Sequence, residues 1–212
     1  VREIVDASFT ALAPLAEQHR ARHASLIELL GQTSIDRAAL ESRLSSLVAA
    51  QTLKLAFTGR LTAMKGVLDL IQVACELRRQ SVDFHLSIVG GGELVDPLRE
   101  AIRRNRLENC VAVLAPKAFR EELVPFVQGI DLFVCPHLQG DPSCTYVETL
   151  ACGVPIVGYA NEALLGIAQH SNAAWHVPVG KPQALAAEIT RLDGDRAELA
   201  EARMRARDFA LS

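Results

Sequence analysis

Short apolar runs alternate with amphipathic stretches along the chain from residue 52 onward. Runs that are apolar throughout are typical of strands buried on both faces of a sheet, and the stretches between them show the three-to-four-residue spacing of helices. The predicted strands are residues 53–58, 84–89, 111–114, 131–135, 154–159 and 174–177. The predicted helices are residues 66–80, 93–104, 121–127, 146–152, 182–192 and 196–209. This alternation indicates an α/β fold with a parallel sheet of about six strands flanked by helices.

The first 51 residues show helical periodicity and no strand pattern. Helices are predicted over residues 12–30 and 34–50, with Ser34 as the N-cap of the second. We therefore divide the chain into an N-terminal helical leader, residues 1–51, and an α/β domain, residues 52–212.

Composition and charge exclude several classes of protein. The 22 Lys and Arg residues nearly balance 25 Asp and Glu residues along the chain, which argues against a nucleic-acid binder. Half of the residues are hydrophobic, enough for a core, yet no apolar run approaches the ~20 residues of a membrane span. The five cysteines are odd in number and form no C-x-x-C pair. We expect a soluble, cytoplasmic protein.

The loop after the first predicted strand carries two cations between two glycines. Ligands of parallel sheets bind beyond the carboxyl ends of the strands, and Gly59, Arg60, Lys65 and Gly66 follow the strand 53–58. The glycines let the backbone approach a ligand, and two cations beside a helix N-terminus suit a diphosphate. Two solvated cations in an ordinary turn are the alternative.

Three glycines end the second predicted strand. Gly90, Gly91 and Gly92 indicate a backbone that turns tightly or approaches a ligand, and both explanations stay open. The stretch lacks the G-x-G-x-x-G spacing of a dinucleotide fingerprint, which argues against NAD or FAD.

The polar loop and helix after the fourth predicted strand carry the most candidate chemistry. Asp141 and Ser143 lead into a helix that bears Glu148 in its first turns. Ser143 and Thr145 lie where the free backbone N–H groups of a helix start point to the ligand side. The carboxylates of Asp141 and Glu148 can accept hydrogen bonds from sugar hydroxyls. The alternatives are a plain helix cap at Asp141 or Ser143 and a surface acid at Glu148.

No metal site and no resident cofactor are predicted. His19 and His23 are four residues apart, but the glutamate of a zinc-protease helix is missing between them. His137, after the fourth strand, could face the ligand, although a loop histidine without a role is the more common case.

Three motifs, in order along residues 53–192, resemble the C-terminal domain of GT-B glycosyltransferases of family four, the glycosyl transferases group 1. The family's G-R-x(4–5)-K-G loop is matched by residues 59–66, and its V-G-x-G-x turn by residues 89–93. Its E-x7-E element, followed by A-x-A-x-G-x-P-V-V, is matched by residues 148–157. The resemblance implies that residues 52–212 are a Rossmann-like domain that binds a nucleotide sugar.

Roles for single residues follow from the resemblance. Arg60 and Lys65 would hold the diphosphate of the donor, and Glu148 the hydroxyls of its ribose. The amides around Ser143, Cys144 and Thr145 would bind phosphate at the helix N-terminus.

The remaining site residues concern backbone contact and the donor sugar. Gly59, Gly91 and Gly92 would let the backbone approach the donor. The family's first glutamate, which touches the donor sugar, falls on Gly140 here, and Asp141 is the nearest acid. Residues 159–162 occupy a loop that often lines the donor sugar in the family.

The implied activity is transfer of a hexosyl-type sugar from a nucleoside diphosphate sugar to a saccharide or lipid-linked acceptor, as in polysaccharide biosynthesis. The resemblance implies a retaining, metal-independent reaction in which the nucleotide sugar is a substrate. Arg60, Lys65 and the helix N-terminus would stabilise the departing diphosphate, and Glu148 would complete the catalytic set.

GT-B enzymes place the active site between two Rossmann-like domains, and only one is visible in this sequence. We expect a truncated chain, a natural fragment or one half of a split enzyme, which binds the donor but is inactive alone. Its partners would be the donor, the acceptor and an N-terminal Rossmann-like domain, with at most peripheral membrane contact and no nucleic acid. A catalytically idle nucleotide-sugar-binding or scaffold module is the alternative, whereas a sugar-nucleotide epimerase needs an acid set not found here.

Overall fold

The structure is a computed structural model that describes residues 34–140 and 144–212. The helix expected over residues 12–30, and the candidate site residues Asp141 and Ser143, lie outside this part of the chain.

The described residues form one parallel sheet in the order β3-β2-β1-β4-β5-β6. The first strand, β1, lies at the centre of the sheet. From it the chain adds β2 and β3 on one side and then crosses back to place β4 beside β1 on the other side. The switch point between β1 and β4 is where such sheets open a crevice for ligands. This confirms the α/β, Rossmann-like fold with six strands. The strands are β1 Leu53–Thr58, β2 Phe84–Val89, β3 Val111–Leu114, β4 Leu132–Cys135, β5 Ile156–Tyr159 and β6 Ala174–Val177.

Helices cover both faces of the sheet. A 3₁₀ turn at Ala63–Lys65 precedes the second helix, and a π-helical turn at Phe119–Leu123 precedes the fourth. The α-helices are α1 Arg37–Ala49, α2 Asp69–Arg79, α3 Val95–Arg104, α4 Val124–Gln128, α5 Cys144–Ala151, α6 Glu162–Ser171, α7 Pro182–Gly194 and α8 Arg196–Leu211.

Three expectations for the helices need correction. Asp36 caps α1, because its carboxylate accepts the Ala39 amide at 3.1 Å, so the prediction of Ser34 as the cap was wrong. The helix expected over residues 66–80 begins at Asp69, because Gly66 adopts a left-handed conformation that ends the preceding 3₁₀ turn. Helix α6 was not predicted at all.

The helix α1 is packed onto the rest of the molecule. It lies against α8, and Leu40 and Leu47 are buried. The amide of Ile35 donates to the carbonyl of Ala151 at the end of α5, at 3.0 Å. The domain boundary at residue 51 stays a prediction.

A buried ion pair ties α8 to the amino end of β4. Arg203, 3% exposed, lies 3.9 Å from Asp131 and donates to the backbone carbonyls of Gln128 and Ile130. Asp131 in turn accepts the amide of Lys54 at 2.8 Å, which joins β4 to β1. The pair lies at the amino end of the sheet, whereas the loops that carry Arg60 and Lys65 follow the carboxyl ends of the strands.

Candidate functional site

The loops at the carboxyl ends of β1, β2 and β4 are joined by backbone hydrogen bonds. Gly59 donates to Val89 at 3.0 Å, and Leu61 donates to Gly91 at 2.9 Å. On the other side of the β1 loop, Leu138 donates to Met64 at 3.1 Å. The segment that carries Arg60 and Lys65 is therefore held between the exits of β2 and β4.

The glycines after β2 are required by contact between these loops. A Cβ at Gly90 would lie 1.8 Å from the carbonyl oxygen of Gly59, and one at Gly92 would lie 2.5 Å from that of Leu61. Both glycines have positive φ values, 157° and 149°. Loop packing thus explains Gly90 and Gly92 without a ligand. Gly91 is free of such a clash, since its Cβ would lie 3.4 Å from Pro116.

Lys65 and Arg60 occupy different depths of the same loop. Gly66, at φ 62°, allows the loop to lie close to the residue that follows β4. A Cβ at this position would lie 2.0 Å from the carbonyl oxygen of Pro136. Lys65 is half-buried, and its charge reaches the thiol of Cys135, whose pKa is nevertheless raised to about 12 by burial. Arg60 is exposed and forms no ion pair with residues 34–140 or 144–212. Both cations lie at the carboxyl edge, as predicted.

Glu148 lies on α5 and lines a small cleft, about 10 Å³ in volume, at the switch point. Burial raises the pKa of its carboxyl to about 7. The hydroxyl-bearing side chains of Thr58, at the end of β1, and Thr149 line the same cleft. Glu148 is therefore a half-buried acid that lines the β1–β4 crevice, rather than the plain surface acid of the alternative.

The opposite wall of this cleft is apolar and was missed by sequence reasoning. It is formed by the π-helical turn and α4, through Phe119, Leu123, Val124 and Val127. Their spacing indicates a helical face that packs inward. The spacing does not predict that this helical face lies opposite Glu148, because their contact depends on how the chain crosses from β3 to β4.

A buried polar cluster lies beneath the start of α5. The Tyr146 hydroxyl is 3.2 Å from His137 Nδ1, and it receives hydrogen bonds from Asn161 Nδ2 at 3.0 Å and Cys135 Sγ at 3.2 Å. His137 is 2% exposed and packs edge-on against Phe57. His137 is therefore a buried member of this hydrogen-bonded cluster, and whether it faces a ligand stays a prediction.

Glu162 fills the space beside Gly140. A Cβ at Gly140 would lie 3.2 Å from the Cβ of Glu162 and 3.6 Å from its carboxylate oxygen Oε2. Glu162 is exposed and is the first residue of α6. A carboxylate from another element thus stands next to position 140, where the sequence has no side chain.

The start of α5 carries the other predicted residues. Cys144 is its first residue and is exposed, and Thr145 is half-buried. The carbonyl of Thr145 accepts the hydroxyl of Thr149 at 2.6 Å. Within the described residues the candidate site is thus the β1 loop, the start of α5, Glu148 and the β5–α6 corner.

Comparison with known proteins identifies the family. Residues 41–209 match the family Glycosyl transferases group 1, and the chain belongs to this family. Similar proteins include the amylovoran biosynthesis glycosyltransferase AmsK of Erwinia amylovora, 31% identical over 156 residues, which are 70% of this chain and 38% of AmsK. Another is the putative colanic acid biosynthesis glycosyltransferase WcaL of Escherichia coli K12, 29% identical over 75% of this chain and 41% of WcaL. The chain thus spans about two fifths of the length of these curated relatives.

Solved structures share the fold. Anabaena Alr3699/HepE, crystallised with UDP and glucose, matches with a TM-score of 0.70 and 21% identity over 85% of this chain and 49% of HepE. WaaG, a glycosyltransferase involved in lipopolysaccharide biosynthesis, matches with a TM-score of 0.69 and 16% identity over 84% of this chain and 48% of WaaG. The chain therefore has the fold of a GT-B family-four glycosyltransferase domain.

No helix within residues 34–140 and 144–212 is long and apolar enough to cross a membrane.

Proposed function

We propose that this chain is the donor-binding domain of a glycosyltransferase that moves a hexosyl-type sugar from a nucleoside diphosphate sugar to a saccharide or lipid-linked acceptor. One arrangement supports the proposal: the Arg60–Lys65 loop, the start of α5 and the half-buried Glu148 all lie on the side of the β1–β4 switch point. UDP and glucose in the HepE crystals support the same class of ligand. The names of AmsK and WcaL support an acceptor in polysaccharide biosynthesis.

The diphosphate would lie between the β1 loop and α5. Arg60 and Lys65 would supply two positive charges, and the backbone amides around Ser143, Cys144 and Thr145 would supply helix N-terminal donors. These groups gain most when the bond to the sugar breaks, because the nucleoside diphosphate leaves with additional negative charge. Their role is therefore electrostatic stabilisation of the leaving group.

The nucleoside would lie over the cleft of Glu148. The vicinal hydroxyls of a ribose can donate two hydrogen bonds to the Glu148 carboxylate. The apolar wall with Phe119 and Leu123 would limit the access of water to that carboxylate in the complex and so strengthen the bonds. Gly59, Gly91 and Gly92 would let backbone approach the donor from the β1 and β2 side.

The sugar would extend from the diphosphate toward the β5–α6 corner. Asp141 is the acid nearest along the chain to position 140, where the family has its first glutamate. Glu162 is the acid whose side chain lies beside Gly140. Either carboxylate can accept hydrogen bonds from sugar hydroxyls. We assign the sugar contact to both residues.

Transfer would proceed without a metal, with retention of configuration, in the cytoplasm. A second Rossmann-like domain would supply the acceptor side of the active site, so this chain alone would bind the donor without turnover.

The test is calorimetric titration of the chain with UDP and UDP-glucose in the presence of EDTA. Contacts to charged groups are worth roughly 1.5–3 kcal/mol each, so the Arg60→Ala/Lys65→Ala variant should lose at least about tenfold in affinity for UDP. Arg103→Ala/Arg104→Ala, in the last turn of α3 at the opposite edge of the sheet, removes the same charge and should bind normally. Equal affinity in both double variants would overturn the proposed site.

The alternative of an idle nucleotide-sugar-binding module is favoured by one observation, the glycine at position 140. A turnover measurement distinguishes the idle module from the transferase domain. If UDP-glucose binds but is not consumed when an acceptor-binding domain is supplied, the idle module is supported.

A further inference from the structure

The Asn161 side chain joins two elements of the candidate site from below. Its Nδ2 donates to the Tyr146 hydroxyl at 3.0 Å and to the His137 carbonyl at 3.3 Å. Its Oδ1 accepts the amide of Leu164 at 3.0 Å, which caps the start of α6. One side chain thus holds the β5–α6 corner, the exit of β4 and the first turns of α5.

The Tyr146 hydroxyl is the centre of this cluster. Asn161 Nδ2 can only donate, so the Tyr146 oxygen accepts there, and the same oxygen lies 3.2 Å from His137 Nδ1. Tyr146, His137, Cys135 and Asn161 are each 5% exposed or less. Hydrogen bonds in such a low-dielectric setting are strong, and a missing partner is costly.

The cluster sits directly under the groups assigned to the nucleotide. Tyr146 lies one residue after Thr145 and two residues before Glu148 on the same helix. A displacement of the Tyr146 ring therefore moves both the helix N-terminus and the Glu148 carboxyl relative to the β1 loop. Binding groups have to be held within about 0.5 Å of their working positions.

We propose that Asn161, acting through Tyr146, is a positioning residue of the nucleotide site. Neither side chain touches the ligand in this proposal; together they set the place of α5 against β4. The inference rests on the proposed function, because it takes α5 as the phosphate-binding helix. No chemistry is assigned to His137 beyond its part in the cluster.

Two variants separate positioning from helix capping. Asn161→Ser keeps a side-chain oxygen that can cap the Leu164 amide but removes both donor bonds. Tyr146→Phe removes the hydroxyl and keeps the ring. We expect each variant to weaken UDP binding about tenfold, and the double variant to be no weaker than either, because all three break the same link.

The matched control is Asp195→Ala, which removes the N-cap of α8. It should lower the melting temperature as the site variants do and leave UDP affinity unchanged. Titrations are run well below every melting temperature, so that a loss of stability alone does not lower the affinity.

Each outcome has its own meaning. Wild-type UDP affinity in folded Asn161→Ser and Tyr146→Phe overturns the inference and leaves the proposed function standing. An equal loss in Asp195→Ala also overturns it, since the effect would then follow stability. A wild-type chain that does not bind UDP overturns the proposed function itself. Faster amide exchange at residues 144–148 in the ligand-free site variants, and not in Asp195→Ala, is the further result expected.

Discussion

Burial raises the pKa of the Glu148 carboxyl from its ordinary value of 4.5 to about 7. A group whose folded pKa is raised stabilises the fold fully below the unfolded pKa and loses that contribution as the pH rises through the folded pKa. The ionised form is thus the one that burial in the cleft disfavours. In the proposed complex it is also the form that would accept hydrogen bonds from two ribose hydroxyls.

We predict that UDP-glucose binds about tenfold more tightly at pH ~8 than at pH ~6, because the carboxylate is the binding form. UDP-glucose is the probe because its diphosphate does not titrate in this range. Calorimetry in buffers of different ionisation enthalpy should show proton release on binding. In Glu148→Gln the affinity should be independent of pH; a wild-type profile in that variant would assign the effect to another group.

Glu162 is a second residue whose role depends on a neighbour, Gly140. If its carboxylate contacts the donor sugar, Glu162→Gln should bind UDP normally and UDP-glucose about fivefold to tenfold more weakly, since only the sugar contact is lost. Glu108→Gln, an exposed acid before β3, is the control. Equal affinity for UDP-glucose in both variants would leave Asp141 as the sugar contact.

At the scale of elements, the glycine turns decide how closely the loops approach. Gly90→Ala would place a Cβ 1.8 Å from the Gly59 carbonyl oxygen in a backbone conformation that L-residues rarely adopt. We predict a loss of about 3 kcal/mol or more in the free energy of unfolding. Urea denaturation measures it.

The control for this prediction is Gly166→Ala, inside α6, where no atom lies within 4 Å of the added Cβ. A helical glycine is less stable than alanine by roughly 0.5–1 kcal/mol, so this variant should gain stability. Unchanged stability in Gly90→Ala would instead mean that the loop contact is not rigid.

Most elements could be predicted from local pattern, and the exceptions have local causes. The strands β1, β2, β3 and β6 were predicted with their observed bounds, because apolar runs between turn residues are a local signal. Helix α6 was missed, although Asn161 is a good N-cap and Leu164 and Ile167 lie inward. Its interior Gly166 weakens the helical pattern, and the tertiary contact of Asn161 with Tyr146 supplies what the pattern lacks.

At the scale of the whole molecule, α1 belongs to the packed structure. Leu40 is fully buried, and a Cβ at Gly153 would lie 2.9 Å from its Cδ2. We predict that Leu40→Ala lowers the free energy of unfolding by about 2–5 kcal/mol in one cooperative transition. Val48→Ala, on the same helix and 52% exposed, should change it little. A separate, early transition in Leu40→Ala would instead support an independent leader.

Only part of the candidate site could be predicted from the sequence: the part that lies in local motifs, and not the part that depends on contacts between distant segments. Arg60, Lys65 and Glu148 lie in motifs next to strand ends, and strand ends of a parallel sheet share one edge. The burial of Glu148, its apolar wall and the Asn161–Tyr146 link could not be predicted, because each joins segments that are distant along the chain.

The amino-acid sequence by itself determined the strand–helix alternation, the edge of the sheet that carries Arg60 and Lys65, and the family resemblance. Hydrophobic periodicity and the positions of glycines are properties of short segments, so they can be recognised without the tertiary structure. The tertiary structure alone decided that β4 lies beside β1, which places Glu148 opposite Thr58 and Asn161 beneath α5. Burial and low dielectric arise only when those segments meet, and they determine the pKa of Glu148 and the strength of the Tyr146 cluster.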